Sequence, residues 1–212
     1  MDQYLPDEIK SYCTQMSSKE EPLLIELEKR TFAEMENPRM ISGSQVGRLL
    51  QTLILARRAR KVLEIGTFTG FATLQMAAAL PPDGRVHTCD LNPVALNLAR
   101  EFFKLSPFGN RIQIHEGPAL ITLTQFSPHS FEFAFIDANK NSYPDYYQQT
   151  MTLLVSGGII VLDNMLWSGK VLNPEDEDSK ALRSTAELIQ KDYRVRNVLL
   201  PVRDGLMVVY KS

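Results

Sequence analysis

The stretch Lys61-Val-Leu-Glu-Ile-Gly-Thr-Phe-Thr-Gly70 decides the fold of this chain. A short apolar strand runs directly into a turn bracketed by two glycines, and an apolar helical segment at 71–80 follows the turn. Glycine permits a sharp turn and a close approach of the backbone to a ligand, and the N-terminus of a helix presents N–H groups to it. The stretch therefore predicts a cradle for a nucleotide-containing cofactor.

The spacing of the glycines narrows the choice of cofactor. A dinucleotide-binding turn has the pattern G-x-G-x-x-G, with a pyrophosphate on the end of the helix. Here Gly66 and Gly70 enclose Thr-Phe-Thr, and the middle glycine is absent. The pattern favours a cofactor that is not held through a pyrophosphate, and a nicotinamide-dependent oxidoreductase is kept as the weaker alternative.

Composition and charge exclude several classes of protein. The 212 residues are 44% hydrophobic and 23% charged, which predicts a single domain over residues 1–212. A net charge of -2 without a long basic run disfavours a nucleic-acid surface. The chain begins without the pattern of a secretory signal, and no segment reaches the ~20 apolar residues of a membrane span. We therefore expect a cytoplasmic protein with no membrane partner.

The order of the remaining segments predicts an α/β fold. Residues 1–57 have helical patterns, and in the core at 58–212 apolar strand-like runs alternate with helical segments. This alternation predicts a doubly wound, mostly parallel sheet of seven strands. The last two runs are joined by a short turn, which makes the last strand antiparallel to its neighbour. The predicted strands are 61–65, 85–90, 111–116, 132–137, 158–163, 194–200 and 206–211.

Acidic residues stand at the predicted strand ends, where open α/β sheets bind ligands. Glu64 lies near the end of the first strand. Asp90 ends the second, at the distance from the glycine turn where a carboxylate binds ribose hydroxyls. An alternative role for Asp90 is to cap the next helix. Asp137, Asp163 and Asn164 offer hard oxygen ligands, which suit Mg²⁺, although acidic strand ends without a metal are common.

The remaining chemically reactive side chains predict no further site. Cys89 lies within an apparent strand and is expected to be a buried, inert thiol. His87, His115 and His129 lie apart in the sequence and lack metal-ligand spacing. The polar segment 168–179 predicts an exposed loop near the rim of the active site.

Four motifs, in this order, resemble one family over nearly the whole chain: the cation-dependent class I O-methyltransferases of the caffeoyl-CoA and catechol type. The motifs are Val62-Leu-Glu-Ile-Gly-Thr-Phe-Thr-Gly70, Phe135-Ile-Asp-Ala-Asn-Lys140, Gly157-Gly-Ile-Ile-Val-Leu-Asp-Asn-Met-Leu-Trp-Ser-Gly169 and Pro201-Val-Arg-Asp-Gly205.

The resemblance implies a Rossmann-like core and a homodimer. It further implies methyl transfer from S-adenosylmethionine to a hydroxyl of a small vicinal-diol aromatic that is chelated to a divalent cation. Mg²⁺ is favoured, with Ca²⁺ and Mn²⁺ as alternatives. A tRNA-bound or other non-catechol hydroxyl stays open as the acceptor, and a non-enzymatic binding protein is the weaker interpretation.

The resemblance also implies roles for individual residues. The metal ligands would be Asp137, Asp163 and Asn164. Lys140 would be the general base, its pKa lowered by the nearby 2+ charge, with a solvated lysine paired to a carboxylate as the alternative. The helices of 1–57 would cover cofactor and acceptor, and Trp167 would either line the acceptor pocket or serve as a structural residue. The cofactor positions would be Met40, Ile41, Glu64, Gly66, Thr67, Gly70, Asp90, Ala119 and Asp137.

The chain departs from the family pattern at three places. Ala72 stands where a serine often bonds the cofactor carboxylate, so backbone or water would make that contact. Asn139 replaces the second aspartate of an Asp-Ala-Asp-Lys motif, which leaves the metal ligand and the lysine intact. Thr185-Ala186 replaces a Phe-Asn pair of the late helix, which puts the acceptor specificity in question.

Overall fold

A computed structural model describes residues 5–212, so residues 1–4 of the expected N-terminal helical region lie outside the described residues. This part of the chain forms a seven-stranded sheet with the order β3-β2-β1-β4-β5-β7-β6. The strands are β1 (Lys61–Ile65), β2 (Arg85–Asp90), β3 (Ile112–Glu116), β4 (Phe131–Ile136), β5 (Leu154–Leu162), β6 (Val195–Leu200) and β7 (Leu206–Lys211).

Helices precede the sheet and connect its strands. Across residues 5–212, no helix is long and apolar enough to cross a membrane. The α-helices are α1 (Asp7–Gln15), α2 (Pro22–Glu34), α3 (Gly43–Arg57), α4 (Phe71–Ala79), α5 (Pro93–Leu105), α6 (Ala119–Leu123), α7 (Tyr143–Leu153) and α8 (Glu177–Lys191). Short 3₁₀ turns cover Pro38–Met40, Gly109–Arg111, Lys140–Ser142 and Trp167–Leu172.

Strand directions follow the connections. The pairs β1–β2, β2–β3, β1–β4 and β4–β5 are parallel, because a helix crosses back between successive strands. The strand β7 is antiparallel to both β5 and β6, because only a short turn separates it from β6. The predicted fold class, a mostly parallel seven-stranded sheet with an antiparallel last strand, is confirmed.

Both faces of the sheet are buried. Val62 and Leu63 are adjacent in β1 and fully buried, yet they belong to different core clusters, because successive strand residues point to opposite faces. The Val62 cluster includes residues of α3 and α4, and the Leu63 cluster includes residues of α7 and α8. Helices on both faces explain why β1 reads as a nearly continuous apolar run.

The strand order reverses between β1 and β4, and the backbones approach closely there. The N–H of Asp137 donates to the Ile65 carbonyl at 2.8 Å. Gly66 has a φ of 104°, and a Cβ at this position would lie 2.0 Å from the Asp137 carbonyl oxygen. Only glycine fits between the ends of the two strands.

The expectation of an exposed loop at 168–179 is wrong in part. Residues Trp167–Leu172 form a 3₁₀ turn, and α8 begins at Glu177. Asp176 caps α8, since its Oδ1 accepts a hydrogen bond from the N–H of Ser179 at 2.7 Å. The acidic residues that suggested a solvated loop instead stabilise the first turn of a helix.

The start of one strand also needs correction. Strand β5 begins at Leu154, directly after α7, and not at 158, because α7 passes into the strand without a loop. His87 and His115, which lie apart in the sequence, are brought together by the neighbouring strands β2 and β3, with His87 Nδ1 3.1 Å from His115 Nε2. Cys89 is buried as expected, and burial raises the pKa of its thiol to about 12, which keeps it protonated and inert.

Gly66→Ala tests the close approach of β1 and β4. The added methyl group meets the backbone of Asp137, so we expect a loss of roughly 3 kcal/mol in the free energy of unfolding. Gly117→Ala is the matched control, because Gly117 also has a positive φ but a Cβ added there would meet no atom within 4 Å. Its loss should be about 1 kcal/mol. Equal losses in urea unfolding would show that backbone strain, and not the contact, requires glycine at position 66.

Candidate active site

A cavity of about 890 Å³ opens at the carboxyl ends of the strands, within the usual size range of small-molecule sites. The predicted site residues that line it are Met40, Ile41, Gly66, Thr67, Asp90, Ala119, Asp137, Lys140, Asp163, Asn164 and Trp167. Ala72 lines it as well, so that departure from the family pattern falls within the site. Glu64 and Gly70 are not among the lining residues.

The glycine turn forms one half of the cavity. Asp90 Oδ2 accepts a hydrogen bond from the N–H of Phe68 at 2.6 Å, which fixes the turn, and Oδ1 accepts one from the N–H of Asn92 at 2.9 Å. Asn92 caps α5 through its own side chain, so the alternative of Asp90 as the helix cap is wrong. A carboxylate has about four acceptor sites, so Asp90 can still accept bonds from a ligand.

Glu64 lies beneath the cavity. Its side chain is fully buried, and Oε2 accepts hydrogen bonds from the hydroxyls of Thr73 and Thr88, each at 2.5 Å. Within residues 5–212, Oε1 has no hydrogen-bond partner. Burial raises the pKa of Glu64 to about 8. The carboxyl braces β1 against α4 and β2 through these two hydroxyls. The expected contact of Glu64 with the cofactor stays a prediction.

Gly70 does not line the cavity but affects the packing of the helices beside it. It starts α4 with a φ of 86°, and a Cβ there would lie 2.4 Å from the ring of Phe103. Glycine is therefore required for the packing of α4 on α5. The expected contact of Gly70 with the cofactor stays a prediction.

The segment before α3 forms a wall of the cavity. Met40 is exposed at the mouth, whereas Ile41 is buried. Arg203 Nη1 donates a hydrogen bond to the Ile41 carbonyl at 2.9 Å. Among residues 5–57, those that line the cavity all belong to one short segment, 36–42.

The acidic half of the cavity lies across the β1–β4 junction. The N–H of Asp163 donates to the Ile136 carbonyl at 3.0 Å, which aligns the end of β5 with the end of β4. Asn164 has a φ of 61°, a conformation that asparagine tolerates better than most residues. Burial, together with the charge of Asp137, raises the pKa of Asp163 well above that of a free aspartate.

The candidate metal ligands are two carboxylates and one side-chain amide. Residues 5–212 contain no group of three or more His, Cys, Asp or Glu side chains arranged to hold a metal ion. The three residues are hard oxygen donors that meet at adjoining strand ends, which is the donor chemistry that Mg²⁺ and Ca²⁺ prefer.

Lys140 is buried and held at two points. Its Nζ lies 3.0 Å from Asp137 Oδ1 and 2.9 Å from the Tyr143 hydroxyl. The Tyr143 hydroxyl lies 3.0 Å from the Asp163 carbonyl, to which it donates. Burial raises the pKa of Tyr143, so the phenol keeps its proton and accepts from Lys140. The alternative of a solvated lysine is therefore wrong, although the pairing with a carboxylate is present.

Sequence reasoning misses several residues of the site. Tyr143 stands out only as the start of a helix, although its spacing of three from Lys140 places both on one side of a helical turn. Arg203 and Asp204 lie in the Pro201–Gly205 motif, which by itself suggests no role, and both line the cavity. The presence of the motif is the one sequence signal that marks them.

The late helix, α8, does not contribute Thr185 or Ala186 to the cavity wall. Thr185 is fully buried and donates to the Ala181 carbonyl at 2.7 Å, and Ala186 packs against the core. Neither residue lines the cavity, whereas Asp178 of the same helix does. The departure at 185–186 therefore does not change the cavity wall directly.

Comparison with known proteins identifies the class. A family model described as O-methyltransferase matches residues 14–212. The chain is 34% identical over 206 residues to the mouse protein named catechol O-methyltransferase domain-containing protein 1, covering 94% of this chain and 78% of that one. It is 35% identical over 180 residues to caffeoyl-CoA O-methyltransferase 2 of Zea mays, covering 79% and 68%.

A solved structure agrees with these relatives. The O-methyltransferase TomG of Streptomyces achromogenes, in complex with SAM, superposes with a TM-score of 0.88 at 27% identity, covering 97% of this chain and 96% of that one. The chain belongs to the O-methyltransferase family, which confirms the expected family and the expected class of enzyme.

Glu64→Gln tests the buried carboxyl. Because the folded-state pKa of Glu64, about 8, lies above the ordinary value of 4.5, the folded protein binds the proton more tightly than the unfolded chain. The contribution of Glu64 protonation to the stability of the folded state is complete below about pH 4.5 and is lost as the pH rises through 8. Glutamine does not titrate in this range. The free energy of unfolding of Glu64→Gln, measured in urea, should therefore rise relative to that of the natural protein between pH 5 and pH 8.5, by on the order of a few kcal/mol. A difference that does not change with pH would contradict the assignment.

Proposed function

We propose that the protein transfers a methyl group from S-adenosylmethionine to a hydroxyl of a small vicinal-diol aromatic that is chelated to a divalent cation. One observation carries the proposal: a single cavity joins the glycine turn and Asp90 to the cluster of Asp137, Asp163, Asn164 and Lys140. The first half suits an adenosine-containing cofactor, and the second suits a metal-bound diol. The names of the maize and mouse relatives point to the same type of acceptor.

The glycine-turn half fits S-adenosylmethionine. Gly66 lets the backbone approach the ligand, and Asp90 has acceptor capacity for the ribose hydroxyls. Met40 and Ile41 lie on the wall formed by the N-terminal segment, and Ala119 lies at the start of α6. Asp137 is placed between the two halves, where its carboxylate can also attract the cationic amino group of the cofactor.

The acidic half fits a divalent cation, with Mg²⁺ favoured over Ca²⁺ or Mn²⁺. Asp163 is 3% exposed, and burial and the charge of Asp137 together raise its pKa although Lys140 and Arg203 act against them. A divalent cation would relieve this repulsion more fully than the single charge of Lys140. A cation held there would supply Lewis acidity, which would lower the pKa of a bound acceptor hydroxyl. Asp137, Asp163 and Asn164 would hold it.

Lys140 and Trp167 act on the acceptor. Asp137 and Tyr143 hold Lys140 Nζ, which donates to both. As the general base, Lys140 would first give up a proton and then, as the neutral amine, take the proton of the reacting hydroxyl. The half-buried Trp167 ring lies 5.9 Å from Lys140 Nζ and offers a flat face for an aromatic acceptor. The nucleophile is thereby oriented toward the methyl group, which is the main task in this type of transfer.

The direct test is the formation of a mono-methylated catechol, detected by mass spectrometry after incubation with S-adenosylmethionine and Mg²⁺. We expect product from a panel of catechols, loss of product in EDTA, and its return with excess Mg²⁺. Product that is insensitive to EDTA would contradict the metal assignment. Consumption of S-adenosylmethionine with a tRNA or another hydroxyl acceptor, but not with catechols, would contradict the vicinal-diol aromatic as the acceptor and support the other hydroxyl instead.

Two variants test the division of roles between the halves. Asp90→Ala removes the ribose acceptor, so calorimetry should show S-adenosylmethionine binding weakened about tenfold or more. Asp163→Ala should leave that affinity within about threefold while abolishing Mg²⁺-dependent acceptor binding. Asp83→Ala, at an exposed site outside the cavity, is the control for a general loss of charge. Equal losses of cofactor affinity in both cavity variants would contradict the division.

We also propose that the protein forms a homodimer through α1. This helix contains no buried residue, and its apolar side chains recur at helical spacing along one side. Such an apolar stripe is unfavourable in water and suits a second copy of the chain. The exposed apolar residues are Leu5, Ile9, Tyr12 and Met16.

Ile9→Glu tests the homodimer. Light scattering after size-exclusion chromatography should show the mass of two chains for the natural protein and of one chain for the variant, because a charge in the stripe cannot be buried. Ser11→Glu, on the opposite side of α1, should stay dimeric. A single-chain mass for the natural protein would contradict the proposal.

A further inference from the structure

The turn Pro201–Gly205, which joins β6 to β7, contacts two separate walls of the cavity. Asp204 bonds the turn that carries Trp167, and Arg203 bonds the segment that carries Met40 and Ile41. These two walls are far apart in the sequence. The turn is thus placed to set their relative position.

Asp204 makes the first of these two contacts, with the turn that carries Trp167, and we call this contact the first arm. Its side chain is buried, and Oδ1 accepts a hydrogen bond from the N–H of Ser168 at 2.6 Å. Its backbone carbonyl accepts a second bond from the N–H of Leu166 at 2.8 Å, and the Gly205 carbonyl accepts a third from Met165 at 2.9 Å. The backbone on both sides of Trp167 is therefore bound to one turn.

The bonded segment has an unfavourable backbone conformation. Trp167, Ser168 and Gly169 follow one another with φ values of 45°, 55° and 83°. Left-handed conformations of residues other than glycine cost free energy, and they persist only where neighbouring groups impose them. The N–H groups of Trp167 and Gly169 bond to carbonyls of the same turn, whereas the central N–H, that of Ser168, bonds to the Asp204 carboxylate. Asp204 is therefore the side chain from outside the turn that binds this run.

Arg203 makes the second contact, with the segment that carries Ile41, and we call this contact the second arm. Its Nη1 donates to the Ile41 carbonyl at 2.9 Å and lies so close to α3 that a Cβ at Gly43 would be 2.7 Å away from it. A hydrogen bond from a charged donor is stronger than one between neutral groups. The segment 36–42 therefore has a fixed anchor on the side of the sheet that also carries Asp204.

We propose that Arg203 and Asp204 are positioning residues that clamp the cavity: Asp204 fixes Trp167 against the acceptor, and Arg203 fixes the Ile41 segment over the cofactor. The catalytic consequence rests on the proposed function, whereas the clamp itself is a property of the folded chain. Removal of the Asp204 arm should raise the KM for the acceptor, and removal of the Arg203 arm should weaken cofactor binding. Neither change should abolish turnover at saturation.

The only tryptophan of the chain reports the Asp204 arm directly, since Trp167 lies on the clamped turn. We would measure acrylamide quenching of its fluorescence in the natural protein, in Asp204→Ala and in Asp204→Asn. Asparagine keeps an acceptor oxygen for the Ser168 N–H, so it is the conservative control. This measurement needs neither cofactor nor acceptor, so it stands even if the proposed function fails.

Asp204→Ala should raise the quenching constant at least about twofold, because local opening exposes the half-buried ring. Asp204→Asn should stay close to the natural protein, and in the methyl-transfer assay the alanine variant should show a raised KM with little change in kcat. An unchanged quenching constant and an unchanged KM in Asp204→Ala would overturn the first arm. A fall in kcat alone would overturn it as well.

Hydrogen exchange of the natural protein covers the case in which Asp204→Ala does not fold. The clamp predicts that the amides of Met165, Leu166 and Ser168 exchange slowly, because all three are donors to the turn. Fast exchange of Ser168 in the natural protein would overturn the first arm without any substitution.

Arg203→Met and Arg203→Lys test the second arm by calorimetric titration with S-adenosylmethionine. Methionine keeps much of the length of the side chain without a donor, so we expect binding weakened about tenfold, with partial recovery in the lysine variant. Trp167 quenching should stay unchanged in both. Natural affinity in Arg203→Met would overturn the second arm, whereas absence of binding by the natural protein would instead overturn the proposed function.

Discussion

The rest of the structure depends on the close approach of β1 and β4 at their carboxyl ends. The Asp137 N–H bonds the Ile65 carbonyl, and Gly66 leaves no space for a side chain between the two strands. Because the strand order reverses at this point, the strand ends of both sheet halves open into a shared crevice. The glycine turn on one side and Asp137 on the other are brought together by this contact, and the cavity follows from it.

Around this junction, buried polar groups hold the site by contacts that no single element could make. Glu64 braces the floor through Thr73 and Thr88, and Tyr143 links Lys140 to the backbone of Asp163. Each group is buried, so its hydrogen bonds are strong and the loss of a partner is costly. Fixed geometry of this kind suits an O-methyl transfer, because the reaction depends on the alignment of two bound ligands.

The fold is predictable from the sequence where the signal is local. The glycine turn after β1 and the Asn92 cap of α5 rest on residues that are neighbours in the sequence. The direction of the Glu64 side chain is not predictable, because both faces of β1 are covered and a strand end alone does not show which side meets the cavity. The bond between Asp204 and Ser168 spans 36 residues, and no periodicity carries that information. Lys140 is marked by its motif, whereas its partner Tyr143 is hidden within a helix start.

The most direct measurement is anomalous diffraction from crystals grown with Mn²⁺ and S-adenosylhomocysteine. We expect one strong anomalous peak within about 2.0–2.6 Å of oxygen atoms of Asp137, Asp163 and Asn164, with the cofactor in the same cavity beside Gly66 and Asp90. A peak bound elsewhere, or a cofactor that lies outside the β1–β4 crevice, would contradict the claim that the junction assembles a single site for both ligands.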